Sequence, residues 1–134
     1  VVPENIKALL NYANLTQEDI SALCLHQANK QIVQAVGQAA EFDLEKVPYY
    51  AFENYGNNTM CSIPCTIAHL DENISKNNLC CCAFGNGLVC GSAILNLEDT
   101  YISEVKTFKK PSYVKTRDEY IQYWRNKFKG EINE

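Results

Sequence analysis

Three short polar segments follow apolar runs of the sequence, and they contain the residues best suited to chemistry. They are His-Gln-Ala-Asn at residues 26–29, Tyr-Gly-Asn at 55–57 and Phe-Gly-Asn-Gly at 84–87. Histidine and asparagine side chains can donate hydrogen bonds, and glycine allows close approach to the backbone. Because α/β proteins bind ligands beyond the carboxyl ends of their strands, these segments are candidates for a binding or active site.

Each segment also has an ordinary structural explanation when it is taken alone. A histidine after a strand is commonly a hydrogen-bonded structural residue, Gly-Asn is a common turn, and Gly-x-Gly often marks close backbone packing. Taken singly, the segments therefore leave the kind of chemistry open.

The sequence between these segments predicts helices and strands that would position them. Apolar residues at helical spacing after Pro3 predict a first helix, Thr16 begins a short second one, and Asn29 caps a third. Apolar strands are predicted at residues 21–26, 49–52, 79–84 and 88–97. The glycine-rich link between the last two predicts an antiparallel pair, and the whole order predicts an α/β fold with a mixed sheet and helices on both faces.

Residues 59–74 form a further predicted helix, which is apolar on two sides. Ile63, Ile67, Leu70 and Ile74 share one side, and Cys61 and Cys65 lie roughly opposite. A helix that is apolar all round is usually buried all round. The pattern therefore predicts a buried helical layer, with the outer side exposed if no second sheet covers it.

The composition is that of a globular protein with no marked affinity for nucleic acid or membrane. The chain has 134 residues, a net charge of −4 and 46% hydrophobic residues, and it has no apolar run long enough to span a bilayer. Its seven cysteines include three in succession, Cys80, Cys81 and Cys82, which favours buried thiols in a reducing cytoplasm over a disulfide framework. The start at Val1 is interpreted as a cut within a longer protein.

Residues 98–134 differ from residues 1–97 and are predicted to be a C-terminal extension. The first part is acidic, whereas the extension is rich in basic and aromatic residues. Tyr120, Trp124 and Phe128 recur every four residues in a predicted helix at 117–129. We expect this aromatic stripe to pack back onto the domain, with docking to a partner or a membrane surface as the alternative.

Together the three segments resemble those of the thiolase-fold condensing enzymes, most closely the β-ketoacyl-acyl-carrier-protein synthase III family. HQANKQI at residues 26–32 is similar to that family's histidine motif, and ENYGNNTMCSIP at 53–64 to its asparagine motif. AFGNGLVCGSAIL at 83–95 is similar to its C-terminal strand pair. The order and approximate spacing also agree, and the resemblance covers roughly residues 1–97.

The resemblance implies a thiolase-like half and a role for each matching residue. His26 and Asn57 match the catalytic pair that donates hydrogen bonds to the thioester oxygen of malonyl carrier protein. Gly87 matches a glycine whose backbone N–H contributes to a second oxyanion hole, and Lys30, Gln31 and Phe84 match positions near the carrier or substrate. The implied reaction is a decarboxylative Claisen condensation of an acyl thioester with malonyl carrier protein. The resemblance also implies a homodimeric enzyme that needs no cofactor or metal. Its implied partners are acyl-CoA and acyl carrier protein.

Two departures from the family pattern bear on these expectations. The family's usual triple glycine is Gly85-Asn86-Gly87 here, which we expect to be tolerated because asparagine accepts left-handed backbone angles. Where family members often carry a basic residue near the carrier, this chain has Gln31. That difference leaves open an acyl transfer to oxygen or nitrogen without decarboxylation, which the same scaffold could catalyse.

None of the seven cysteines matches the nucleophile, which in this family lies in the N-terminal half. We therefore expect the 134 residues alone to be inactive in condensation. A structural zinc site is a separate possibility, because Cys61, Cys65 and His69 recur every four residues. No fourth ligand is evident in the sequence, and structural zinc usually has four.

Overall fold

A computed structural model describes residues 1–106 and 115–130 of the chain. The regular elements within these residues are, in chain order, α1 (Val2–Ala13), β1 (Ala22–Leu25), α2 (Lys30–Ala39), α3 (Tyr50–Tyr55), α4 (Ser62–His69), α5 (Glu72–Ser75), β2 (Asn78–Gly85), β3 (Val89–Asn96) and α6 (Arg117–Phe128). Short 3₁₀ turns at Gln17–Asp19, Leu44–Lys46, Thr59–Cys61 and Asn86–Leu88 connect some of them.

The described strands form one mixed sheet in the order β1-β2-β3. Strand β1 is parallel to β2, with Cys24 opposite Cys81, and β2 is antiparallel to β3, with Cys81 opposite Ala93. The predicted α/β class, the mixed sheet and the antiparallel pair are therefore confirmed. The short link Asn86–Leu88 forces β3 to reverse direction, since a parallel connection needs a much longer crossover.

Helices cover both faces of this sheet, as predicted, because side chains alternate along the strands. On one face Leu23, Leu25, Cys80 and Cys82 pack with Ile6 and Leu10 of α1 and Val33 of α2. On the other face Ala22, Cys24, Leu79 and Cys81 pack with Ile63 and Ile67 of α4. Each fully buried leucine contributes roughly 1.5–3 kcal/mol to folding, so both layers are held chiefly by apolar burial.

The prediction of a strand at residues 49–52 is wrong, because this segment enters helix α3. Pro48 lacks the N–H that a strand ladder would use, and the N–H of Phe52 donates to the buried side-chain oxygen of Gln27 at 3.3 Å. The helical turn also buries Ala51 completely while leaving Glu53 exposed. The apolar run was too short for its periodicity to separate the two possibilities.

The predicted helix at 59–74 is divided into a 3₁₀ turn and the two helices α4 and α5. The chain is extended at Leu70, and the Asp71 side chain then caps α5 by accepting the N–H of Asn73 at 2.9 Å. Helix α4 buries Ser62 and Thr66, whereas Cys61 beside it is exposed. One side of α4 therefore packs on the sheet, and among the described residues the other side is left partly exposed at Pro64 and Cys65.

The predicted C-terminal helix is confirmed as α6, which begins after a capping box. The Thr116 hydroxyl accepts the N–H of Glu119, and the Glu119 carboxylate accepts the N–H of Thr116. The expectation that its aromatic stripe packs onto the domain is wrong for Trp124 and Phe128, which are 49% and 86% exposed. Residues 107–114 and 131–134 of the predicted extension lie outside the described part.

Among the described residues, none of the helices combines the length and apolar character needed to cross a bilayer.

Gly37 gives a direct test of how tightly α2 packs. A Cβ atom at this position would lie 2.8 Å from Cγ2 of Val47, a side chain that is itself buried. We expect Gly37→Ala to lower the free energy of unfolding by about 1–3 kcal/mol, because the overlap outweighs the better helix propensity of alanine. Urea unfolding of the chain measures the change.

Gly91→Ala is the matched control, since a Cβ atom at Gly91 would meet no atom within 4 Å. We expect it to leave the unfolding free energy within about 0.5 kcal/mol of the parent value. Equal destabilisation by both substitutions would contradict this account of the α2 contact.

Candidate active site

His26 lies immediately beyond β1 and is held by backbone pairing to β2. Its N–H donates to the carbonyl oxygen of Cys82 at 2.9 Å, and its own carbonyl accepts the N–H of Ala28 at 3.0 Å. The ring meets Phe84 edge to face, with the ring centroids 5.5 Å apart. Within the described residues neither ring nitrogen has a hydrogen-bond partner. The imidazole is half-buried and available to a ligand.

Asn57 lies in a tightly constrained loop between α3 and α4. Gly56 has φ 69° and ψ −160°, a conformation that is essentially restricted to glycine, and Thr59 has φ 51°. The Asn57 side-chain oxygen accepts the N–H of Thr59 at 3.1 Å. This contact occupies the acceptor end of the carboxamide, so the amide Nδ2 group is left to donate to a ligand.

The three segments singled out in the sequence meet in one open cleft of about 430 Å³. Its lining contains His26, Asn57 and Phe84, together with Thr59, Met60, Ile63, Ala83, Gly85 and Asn86. Larger clefts of about 580 and 660 Å³ lie beside α5 and α3, but the segments do not meet in either. Chemistry rather than size therefore identifies this cleft as the candidate site.

Three of the predicted site residues do not line this cleft. Gly87 is exposed at the turn between β2 and β3 with φ 76°, and Gln31 is exposed on α2. The ammonium group of Lys30 lies 3.3 Å from the Glu53 carboxylate and 4.1 Å from the centre of the Tyr49 ring. Their roles stay predictions from the family resemblance.

The turn between β2 and β3 differs in one detail from the expectation. Gly87 has left-handed backbone angles, whereas Asn86 does not have a positive φ. Asparagine at position 86 is therefore accommodated without the left-handed conformation that was expected of it.

Sequence reasoning missed Gln27, which is completely buried directly beside His26. Its side-chain nitrogen donates to the carbonyl oxygens of Leu25 and Pro48, and its oxygen accepts the N–H of Phe52. The sequence did contain a signal for it, because Gln27 is a polar residue placed between an apolar strand and the Asn29 helix cap. The identity of its partners could not be read from the sequence, because Phe52 was predicted to be in a strand.

The spacing of Cys61, Cys65 and His69 does not produce a metal site. No group of three or more His, Cys, Asp or Glu residues in the described ranges is arranged to hold a metal ion. His69 is engaged through both ring nitrogens, at 2.7 Å from the Cys65 carbonyl oxygen and 2.9 Å from the Tyr55 hydroxyl. The histidine instead ties the last residue of α3, Tyr55, to α4.

Three of the cysteines in the strands, Cys24, Cys80 and Cys82, are placed to remain protonated thiols, whereas a hydrogen bond from Cys24 lowers the pKa of Cys81. Burial raises the pKa of Cys80 to about 12 and that of Cys82 to about 11. A hydrogen bond to Cys81, together with burial, also raises the pKa of Cys24. Because a thiolate is the reactive form, these three side chains lack the environment of a catalytic nucleophile.

The comparisons with known proteins agree with the geometry. Residues 10–97 match the family model described as the C-terminal part of 3-oxoacyl-[acyl-carrier-protein] synthase III. The β-ketoacyl-[acyl-carrier-protein] synthase III of Aliarcobacter butzleri is 37% identical over 93 residues, which are 67% of this chain and 28% of that protein. The corresponding protein of Clostridioides difficile is 38% identical over 89 residues, covering 64% of this chain and 27% of that one.

Solved structures give the same result for the fold. The 3-oxoacyl-(acyl carrier protein) synthase III of Pseudomonas aeruginosa superposes with a TM-score of 0.63 at 27% identity, over 71% of this chain and 30% of that one. The enzyme of Aquifex aeolicus gives 0.62 at 26% identity, over 71% and 32%.

The mixed sheet and its two helical layers form part of a thiolase-like α/β fold. The chain belongs to the 3-oxoacyl-[acyl-carrier-protein] synthase III family, and it matches that family's C-terminal part. It spans less than a third of the length of the Aliarcobacter and Clostridioides relatives.

The raised thiol pKa values predict a loss of stability at alkaline pH. An unfolded thiol has a pKa of about 8.5, so above that pH the unfolded chain binds fewer protons than the folded one. We expect the stabilising contribution of Cys80 to be constant below about pH 8 and to fall by up to about 1.4 kcal/mol per pH unit above pH 9, until its folded pKa of about 12 is reached.

The measurement is urea unfolding between pH 7 and 10.5 for the parent chain and Cys80→Ala. The variant should lose stability less steeply with pH than the parent, even if it is less stable at pH 7. Parallel pH dependences in the two proteins would show that Cys80 is not held as a buried thiol.

Proposed function

We propose that this chain is the C-terminal part of an enzyme that condenses an acyl thioester with malonyl carrier protein, with release of carbon dioxide. In this proposal acyl-CoA and acyl carrier protein are the substrate-bearing partners, and the complete enzyme is a cytoplasmic homodimer of fatty acid biosynthesis. The single observation that supports it best is the meeting of His26 and Asn57 in one cleft, with Nδ2 of Asn57 left to donate.

The chemistry of decarboxylation calls for hydrogen-bond donors of this kind. When the carboxylate leaves as carbon dioxide, the electron pair of the broken carbon–carbon bond enters the thioester as an enolate, and negative charge grows on its oxygen. Donors aimed at such an oxygen in a site that excludes water contribute about 3–4 kcal/mol each, a rate factor of roughly 10²–10³. His26 and Asn57 would each supply one donor.

The two residue types suit the role for different reasons. A carboxamide keeps its protons at neutral pH, so Asn57 remains a donor throughout the reaction. Neutral histidine carries one ring proton and must hold it on the nitrogen that faces the substrate. Since the described residues give neither ring nitrogen of His26 a partner, the group that fixes its tautomer would come from the substrate or from elsewhere in the complete enzyme.

The nucleophile of the proposed reaction must come from outside this chain. The enolate carbon attacks the carbonyl of an acyl group held on a cysteine, forming the new carbon–carbon bond as that cysteine leaves as a thiolate. None of the seven cysteines lines the cleft, and Cys24, Cys80 and Cys82 are also buried in the sheet with raised pKa values. We therefore expect the 134 residues alone to form no ketoacyl product from an acyl thioester and malonyl carrier protein.

The test compares the complete protein with three variants, supplied with an acyl-CoA primer and malonyl carrier protein. His26→Ala and Asn57→Ala should each lower the rate of carbon dioxide release by ~10²–10³-fold. Asn57→Asp should lower it similarly, because the carboxylate keeps the acceptor for the Thr59 N–H but loses the donor. Carbon dioxide and the ketoacyl product are measured separately, by isotope release and mass spectrometry.

Gln38→Met, an exposed substitution on α2, is the control and should retain the parent rate. Release of carbon dioxide that is insensitive to His26 and Asn57 would contradict the proposed roles. Acylation of the complete protein without carbon dioxide release, across a range of primers, would instead support acyl transfer to an oxygen or nitrogen acceptor, the alternative that Gln31 left open.

A further inference from the structure

Gln27 has a polar side chain that is fully buried in an otherwise apolar environment. It is 0% exposed and lies between the last residues of β1 and the first turn of α3. Burying a carboxamide is costly unless its hydrogen-bonding groups are paired. The position of Gln27 therefore requires partners, and those partners define what it connects.

The side chain of Gln27 joins three separate backbone segments. Its Nε2 donates to the carbonyl oxygen of Leu25 at 3.1 Å and to that of Pro48 at 3.2 Å. Its Oε1 accepts the N–H of Phe52 at 3.3 Å. One carboxamide thus links the carboxyl end of β1, the loop before α3 and α3 itself.

These three segments carry the two proposed catalytic side chains. His26 directly precedes Gln27, and Asn57 follows the last residue of α3 by two positions. The intervening Gly56 holds a conformation that is restricted to glycine, so the direction of the chain from α3 to Asn57 is closely defined. A shift of α3 relative to β1 would therefore change the separation of His26 and Asn57.

The other polar contacts of α3 lead mainly to α4. The Tyr50 hydroxyl donates to the carbonyl oxygen of Thr66 at 3.2 Å, and the Tyr55 hydroxyl lies 2.9 Å from Nε2 of His69. The ion pair between Lys30 and Glu53 joins α3 to α2, but both side chains are substantially exposed, and exposed pairs contribute little. Gln27 is thus the buried polar connection between α3 and the strand that positions His26.

We propose that Gln27 is a positioning residue, which acts through β1 and α3 to hold His26 and Asn57 at the separation that one thioester oxygen requires. This inference rests on the proposed function. It predicts that removing the hydrogen bonds of Gln27 lowers the chemical rate more than it lowers substrate affinity. Displacement of a catalytic group by about 1 Å can reduce a rate ~10²-fold.

Two substitutions of similar size separate positioning from packing. Gln27→Met keeps the length of the side chain but removes the donor to the carbonyl oxygens of Leu25 and Pro48, and it leaves the Phe52 N–H only its contact with the Tyr49 carbonyl oxygen at 3.1 Å. Gln27→Glu keeps an acceptor for the Phe52 N–H, and it can donate to one of the carbonyls only when its carboxyl group is protonated. Burial favours that protonated form.

The experiment measures carbon dioxide release by the complete protein, well below the unfolding temperature of every variant. Gln27→Met should lower kcat by about 10–100-fold, with KM for malonyl carrier protein changed less than about threefold. Gln27→Glu should have an intermediate kcat that rises as the pH falls and its carboxyl group becomes protonated. The parent enzyme should lack this step in its pH profile.

Gln38→Met, on the exposed side of α2, controls for the amide-to-thioether change and should match the parent in kcat, KM and pH profile. If Gln27→Met does not fold, Gln27→Glu alone tests the positioning role, because it retains the acceptor and the shape of the side chain.

A folded variant with parental kcat and pH profile would overturn the positioning role, as would a loss expressed only in KM or in stability. An inactive parent enzyme would instead count against the proposed function, so the two failures are distinguishable.

Discussion

Strand β2 pairs along one edge with β1 and along the other with β3, and its residues Leu79 to Cys82 are buried on both faces. Leu79 and Cys81 face the α4 layer, whereas Cys80 and Cys82 face α1 and α2. A strand buried on both faces must be apolar throughout, which explains three successive cysteines as small, adaptable core residues. The same strand also positions His26, because the Cys82 carbonyl accepts the backbone N–H of His26 and Phe84 packs against the imidazole ring.

The site combines this rigid support with a strained loop. His26 sits at the end of a buried strand, while Asn57 is held between Gly56 and Thr59, both with positive φ. Strain of this kind persists only where surrounding contacts enforce it. Here the Asn58 side chain contacts Ser62 and Cys65 of α4, and Tyr55 at the start of the loop contacts His69. The result is a half-buried imidazole and a carboxamide that line one cleft, and our account of the function rests on that arrangement.

Much of this arrangement could be predicted from the sequence, for identifiable physical reasons. Residues 22–25 and 79–84 are uniformly apolar and bounded by polar or glycine residues, so β1 and β2 were evident. Asn29 marked the start of α2, where its side chain caps the N–H of Ile32 at 2.8 Å. The segment at 49–52 was mistaken for a strand because so short an apolar run does not distinguish the two periods, and its contact with Gln27 joins residues far apart in the sequence. Likewise, the aromatic spacing in α6 predicted a helix correctly but contained no information on what covers it.

The central claim is that His26 and Asn57 donate to the same substrate oxygen. A crystal structure of the complete protein with a non-hydrolysable malonyl thioester analogue measures this directly. We predict that a ring nitrogen of His26 and Nδ2 of Asn57 both lie about 2.7–3.1 Å from the thioester carbonyl oxygen. An analogue bound productively in the cleft, with that oxygen more than about 4 Å from either group, would contradict the account.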